Sequence, residues 1–98
     1  MKKLMIAAVA TTALFSSASF AQAPAKAATC VGCHGADGNS MVPNFPKLAG
    51  QHAAYLEKTL KDFRDGFRKD ATMGPFAAGL TDEEIKELAA YYASQTQK

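Results

Sequence analysis

The chain has 98 residues, two cysteines, no tryptophan and a formal charge of +2. That length limits it to one domain, and two of its eleven basic residues, Lys2 and Lys3, lie at the extreme N-terminus. Without them nine basic residues face nine acidic ones, which gives no footprint for binding nucleic acid.

Lys2 and Lys3 are followed by an apolar run from Leu4 to Phe15 and by small residues ending Ser19-Phe20-Ala21. This is the layout of a secretory signal peptide over residues 1–21, with cleavage expected after Ala21. The apolar run falls short of the ~20 residues that cross a bilayer. The mature chain, residues 22–98, is then expected outside the cytoplasm, with no stable membrane insertion.

Alanines and Lys26 favour helix, and Pro24 suits a first helical turn, so a short helix is predicted from Pro24 to Cys33. It carries Cys30-Val31-Gly32-Cys33-His34. Two thiols three residues apart, followed at once by an imidazole, form the c-type haem attachment pattern. Such thiols add to the two vinyl groups of one porphyrin edge, and the histidine becomes the proximal iron ligand. Three other uses of the cysteines compete. A redox-active dithiol wants a βαβ context, which no alternating β-branched run supplies. A zinc site would need both His34 and His52. A structural disulfide is the plain alternative in an exported chain.

Gly35 to Ser40 is a turn, and Met41 to Gly50 continues as loop with Pro43, Pro46 and Gly50. Gln51 to Asp65 reads as an amphipathic helix with Ala53, Leu56, Leu60 and Phe63 on one face, ended by Gly66. Phe67 to Gly79 is predicted as a second loop around Gly74-Pro75. The last helix has Thr81 as N-cap and Glu84 completing a capping box. Ile85, Leu88, Ala89 and Tyr92 form its buried stripe, with Tyr91 on the flank and Gln95 to Lys98 expected to fray. The prediction is all-α.

Beyond Cys30-Val31-Gly32-Cys33-His34-Gly35, the chain carries Asp37-Gly38, Phe45-Pro46-Lys47-Leu48-Ala49-Gly50-Gln51, Tyr55-Leu56, Met73 and Leu88-Ala89-Ala90-Tyr91-Tyr92 in that order. In this it resembles class I cytochromes c, particularly the small soluble monohaem ones of bacterial periplasms. The resemblance implies three main helices and long loops around one covalently attached haem c, with the first and last helices crossing. It implies that the Pro46 carbonyl accepts from the second nitrogen of His34. It also places the sixth ligand in the Gly-Pro loop, hence Met73, whereas Met41 is expected to pack in its loop and His52 to cap a helix or be solvated.

About eight mature residues precede Cys30, so Ala23 and Ala27 are expected against the last helix. Tyr55 and Arg68 are candidates for bonding haem propionates. Lys47, Lys58, Lys61, Arg64, Arg68 and Lys69 are weighed as a docking surface against ordinary helix pairs, Glu57–Lys61, Lys58–Asp62 and Lys61–Asp65.

The function implied is not enzymatic. It is a one-electron shuttle in the periplasm between a quinol-oxidising complex or dehydrogenase and a terminal oxidase or reductase. The alternatives are a gas-binding or sensor protein with an open sixth site, and an electron-transfer subunit of a larger redox enzyme complex.

Overall fold

The computed structural model describes residues 22–98; the expected signal peptide and its cleavage site lie outside the described residues. The described residues are helical and contain no strand. A 3-10 helix, Ala25–Thr29, leads through Cys30 into α1, Val31–His34. The single helix predicted from Pro24 to Cys33 is therefore two short pieces. Ala27 is buried against the core, while Ala23 is exposed and makes no part of the terminal contact.

Gly35 ends α1 at a φ of 84°, which only glycine adopts without strain. The following loop folds back on itself. Gly38 offers its carbonyl to the N–H groups of Leu48 and Ala49 at 2.8 and 3.1 Å, and the Ser40 hydroxyl donates to the Phe45 carbonyl at 2.5 Å. That fold-back brings the Pro46 carbonyl within hydrogen-bond distance of His34 Nδ1.

α2 spans Ala53–Asp65 and closes at Gly66, again left-handed. Leu56 and Phe63 are buried and Leu60 packs at the core's edge, but Ala53 is exposed. The segment predicted as a second loop contains a helix, α3, Met73–Ala78. Gly74 and Pro75 sit inside it rather than at a turn. Proline is tolerated there because a first-turn N–H has no intrahelical partner to lose.

α4 spans Asp82–Ala93 and starts as predicted. The Glu84 N–H donates to Thr81 Oγ1 at 3.1 Å, and the Thr81 N–H donates to Glu84 Oε1 at 3.0 Å. Ile85, Leu88, Ala89 and Tyr92 are all at or below 2% exposure. Tyr91 is buried too, rather than flanking, and donates through its hydroxyl to the Ala36 carbonyl at 2.9 Å.

α4 packs on α2 and on the 3-10 helix, and α2 also packs on α3. Arg64 ties the end of α2 to the start of α4, donating to Asp65 Oδ1 at 2.9 Å, Asp82 Oδ1 at 2.7 Å and the Leu80 carbonyl at 3.3 Å. Ionised partners on both sides raise its pKa, Asp65 before Asp82, and hold both carboxylates below their usual range.

Candidate functional site

The core lines a hollow. A cavity of about 350 Å³ lies between α2, α4 and the loops after α1 and α2, within the size range of cofactor sites. Leu56, Leu60, Phe63, Leu88 and Ala89 make its apolar walls, and Cys30, His34 and Met73 stand at its margin. A smaller cavity of about 140 Å³ shares Cys30, His34 and Met73 and adds Cys33, Phe45 and Phe76. Cys30, His34 and Met73 thus line both cavities, and Cys33 lines the smaller one.

α1 fixes the histidine. Its ring is buried, and Nδ1 lies 2.8 Å from the Pro46 carbonyl oxygen. A carbonyl only accepts, so Nδ1 carries the proton and Nε2 keeps a lone pair. That tautomer is the one a metal-ligating imidazole needs, with its orientation set by the second nitrogen's bond. Cys30 and Cys33 are free thiols, both half-buried, on the same turn. Met73 is half-buried at the first position of α3 and packs on the core.

The other candidates separate from this group. Met41 is 96% exposed, so it neither packs its loop, as the sequence suggested, nor reaches the cavity. His52 is exposed, makes no capping bond through its side chain and lies off the cavity. Without it no zinc set assembles; among the described residues no group of three or more His, Cys, Asp or Glu comes together.

Tyr55 and Arg68 both line the cavity, Tyr55 half-exposed and Arg68 with its guanidinium 4.7 Å from the centre of the Phe63 ring. The cations on α2 are paired. Lys58 bonds Asp62 at 2.5 Å and Lys61 bonds Glu57 at 3.1 Å, whereas Asp65 is taken by Arg64 instead of Lys61.

Two lining residues were not legible as site residues. Tyr92 was read only as buried stripe, yet its hydroxyl is buried at the cavity with no hydrogen-bond partner among the described residues. Burial, and next the neighbouring Cys30 thiol, push its pKa above the usual phenol range. Asp70 lines both cavities and caps the turn that carries Met73. Its signal was present as an aspartate three residues before the methionine.

This donor set fits a haem. The walls are apolar, the imidazole is held with a free Nε2, a thioether stands at the same space and two thiols lie at its edge. The buried Tyr92 hydroxyl, without a partner among the described residues, adds a polar group to the cavity wall.

The cytochrome c family profile matches residues 20–96. The chain belongs to the cytochrome c family. That family carries covalently bound haem c, and the fold and homologues of this chain are those of electron-transfer cytochromes. The chain is 53% identical to cytochrome c-554(548) of Halomonas halodenitrificans over 71% of its own length and 88% of that relative. It is 44% identical to cytochrome c4 of Pseudomonas aeruginosa over 97% of its length, but spans only 49% of that cytochrome. A 49% identical match over 65% of the chain is the thiosulfate dehydrogenase electron acceptor of Stutzerimonas stutzeri, of which 30% is spanned. The crystal structure of reduced recombinant cytochrome c4 from Pseudomonas stutzeri superposes with a TM-score of 0.63 at 42% identity, over 68% of this chain and 38% of that one. The class I cytochrome c fold expected from the sequence is therefore the fold observed.

Proposed function

We propose that the mature chain is an exported monohaem electron carrier in which Cys30 and Cys33 hold one haem c through thioethers, and His34 Nε2 and Met73 Sδ are the axial ligands. The observation that carries this reading is the His34–Pro46 bond. It leaves Nε2 as the free donor in a cavity that Met73 also lines. Bound haem supplies the one-electron couple. The chain's own residues keep the iron's surroundings the same in both oxidation states. His34 is clamped by its carbonyl, and Met73 offers a soft sulfur that favours the reduced ion and raises the potential. The apolar walls exclude water, and the role proposed, in line with the cytochromes and the electron acceptor this chain is similar to, is electron transfer and not enzymatic.

Partners would be transient, because electron-transfer encounters bury little area and separate fast. A dehydrogenase or quinol-oxidising complex as donor, and a terminal oxidase or reductase as acceptor, suits such a carrier. The relative named as an electron acceptor for a dehydrogenase supports the donor side. The leader-like residues 1–21 support a periplasmic site, and no helix among the described residues is long and apolar enough to cross a membrane.

A gas-binding protein with an open sixth position is the competing reading, and it is disfavoured by a half-buried Met73 on the cavity wall. Carbon monoxide separates the two. Wild type in the ferrous state should exclude it, and Met73→Ala should bind it and show a lower reduction potential. Met41→Ala and His52→Ala should match wild type. Ready binding by wild type would overturn the carrier reading. Changes in Met41→Ala or His52→Ala but not in Met73→Ala would overturn the ligand assignment. The intact mass should equal residues 22–98 plus one haem; a haem-free mass with Cys30 and Cys33 oxidised to a disulfide would refute attachment.

A further inference from the structure

We infer that Asp70 is a positioning residue for Met73, holding the sixth ligand's main chain in place so that its sulfur stays at the cavity. The inference rests on the proposed assignment of Met73 as a ligand. Between Gly66 and Met73 the chain has no regular structure, and α3 is only six residues long. A ligand at the first position of so short a helix is held weakly unless its turn is tied down. Thr72, immediately before α3, gives no side-chain cap, and the first turn contains no acidic residue of its own.

Asp70 supplies what these lack. Its Oδ1 accepts the N–H of Thr72 and the N–H of Met73, each at 2.9 Å. Its main-chain carbonyl accepts the N–H of Gly74 at 3.0 Å. Three consecutive N–H groups, centred on Met73, therefore converge on one residue. The carboxylate is exposed and is held ionised by the same bonds, first from Met73 and then from Thr72. Within α3 only Ala77 is anchored by burial. Met73 is only half-buried, so the bonds at its own nitrogen are the local restraint on where its side chain starts.

If Asp70 acts in this way, its loss should ease displacement of Met73 by an outside ligand more than it lowers overall stability. Imidazole titration of the ferric holoprotein measures the displacement, followed by loss of the sulfur-to-iron charge-transfer absorption. Asp70→Ala loses two bonds to a charged carboxylate and should bind imidazole at least about tenfold more tightly than wild type, the factor that goes with one such bond. Asp70→Asn keeps an oxygen able to accept both N–H groups and should stay near wild type. Asp70→Glu keeps the charge but moves the oxygens by one methylene, and should behave like Asp70→Ala. Thr81→Ala, which uncaps α4 away from the cavity, is the control for a purely structural effect. It should lower the unfolding midpoint and leave imidazole binding unchanged.

Imidazole affinity within twofold of wild type in both Asp70→Ala and Asp70→Glu would overturn the inference. So would an equal gain in Thr81→Ala. Met73→Ala distinguishes the two levels of the argument. It should bind imidazole more tightly than any Asp70 variant, and if it binds no better than wild type, the ligand assignment itself is wrong.

Discussion

Gly38 and Gly66 share almost one backbone angle, φ of 83° and 84°, in opposite surroundings. A methyl group at Gly66 would meet open space. At Gly38 it would lie 2.8 Å from the Ala49 nitrogen and 2.8 Å from Cδ1 of Tyr92, a residue of the cavity wall. Gly66→Ala therefore costs only the left-handed conformation, about 1–2 kcal/mol. Gly38→Ala adds overpacking, for roughly 2–5 kcal/mol in total. Chemical denaturation of the two holoproteins should show the larger loss at Gly38, and equal losses would mean that the loop yields to the added methyl. The same tight approach explains what could be read at this scale. Cys30, Cys33 and His34 announce themselves by spacing, and the resemblance pointed to Pro46. Tyr92 did not, because an apolar stripe at helical spacing looks the same whether it packs on protein or on a hollow.

At the scale of elements, legibility follows how local the signal is. α4 is written in its own residues: Thr81, Glu84 and a stripe at helical spacing reproduce the observed start and buried face. α3 escaped because Gly74 and Pro75 are turn residues on average, and what makes them helical here is the Asp70 cap before them and the burial of Ala77 behind them. The short N-terminal helix broke at Cys30 because nothing in its few residues enforces one continuous hydrogen-bond ladder. Thr81→Ala tests the local account. It removes the oxygen that accepts the Glu84 N–H and should cost about 1 kcal/mol in denaturant unfolding, while Thr81→Ser keeps that oxygen and should lose far less. A neutral Thr81→Ala would show that α2 packing and Arg64, rather than the cap, hold the start of α4.

Across the whole molecule, the C-terminal tail was expected to fray and instead closes onto the loop that follows the haem-attachment residues. Asn39 is the hub: its Nδ2 donates to the Thr96 carbonyl at 2.9 Å, and its Oδ1 accepts the Lys98 N–H at 2.8 Å. Lys47 reaches the Lys98 carbonyl, and the Lys98 ammonium lies 3.2 Å from Asp37. No local pattern in Gln95 to Lys98 could announce partners more than fifty residues away in sequence. Asp37 gives this closure a pH signature. Its carboxylate accepts the Asn39 N–H at 3.0 Å, and Asn39 first, then Lys98, lower its pKa from 3.8 to about 2. A pKa depressed in the folded state adds stability above the unfolded value and loses it as pH falls through the folded one. Wild type should therefore exceed Asp37→Asn in stability at neutral pH, and the gap should close between pH 3.8 and about 2. The difference between the two proteins is the quantity to follow in denaturant titrations, since acid also acts on the other lowered carboxylates equally in both. Salt should narrow the neutral-pH gap only in part, because the exposed Lys98 contribution is screened while the Asn39 bonds are not. No gap at neutral pH would mean that Asp37 does not contribute to this closure, and a gap that persists unchanged to pH 2 would mean that its contribution is not that of its charge.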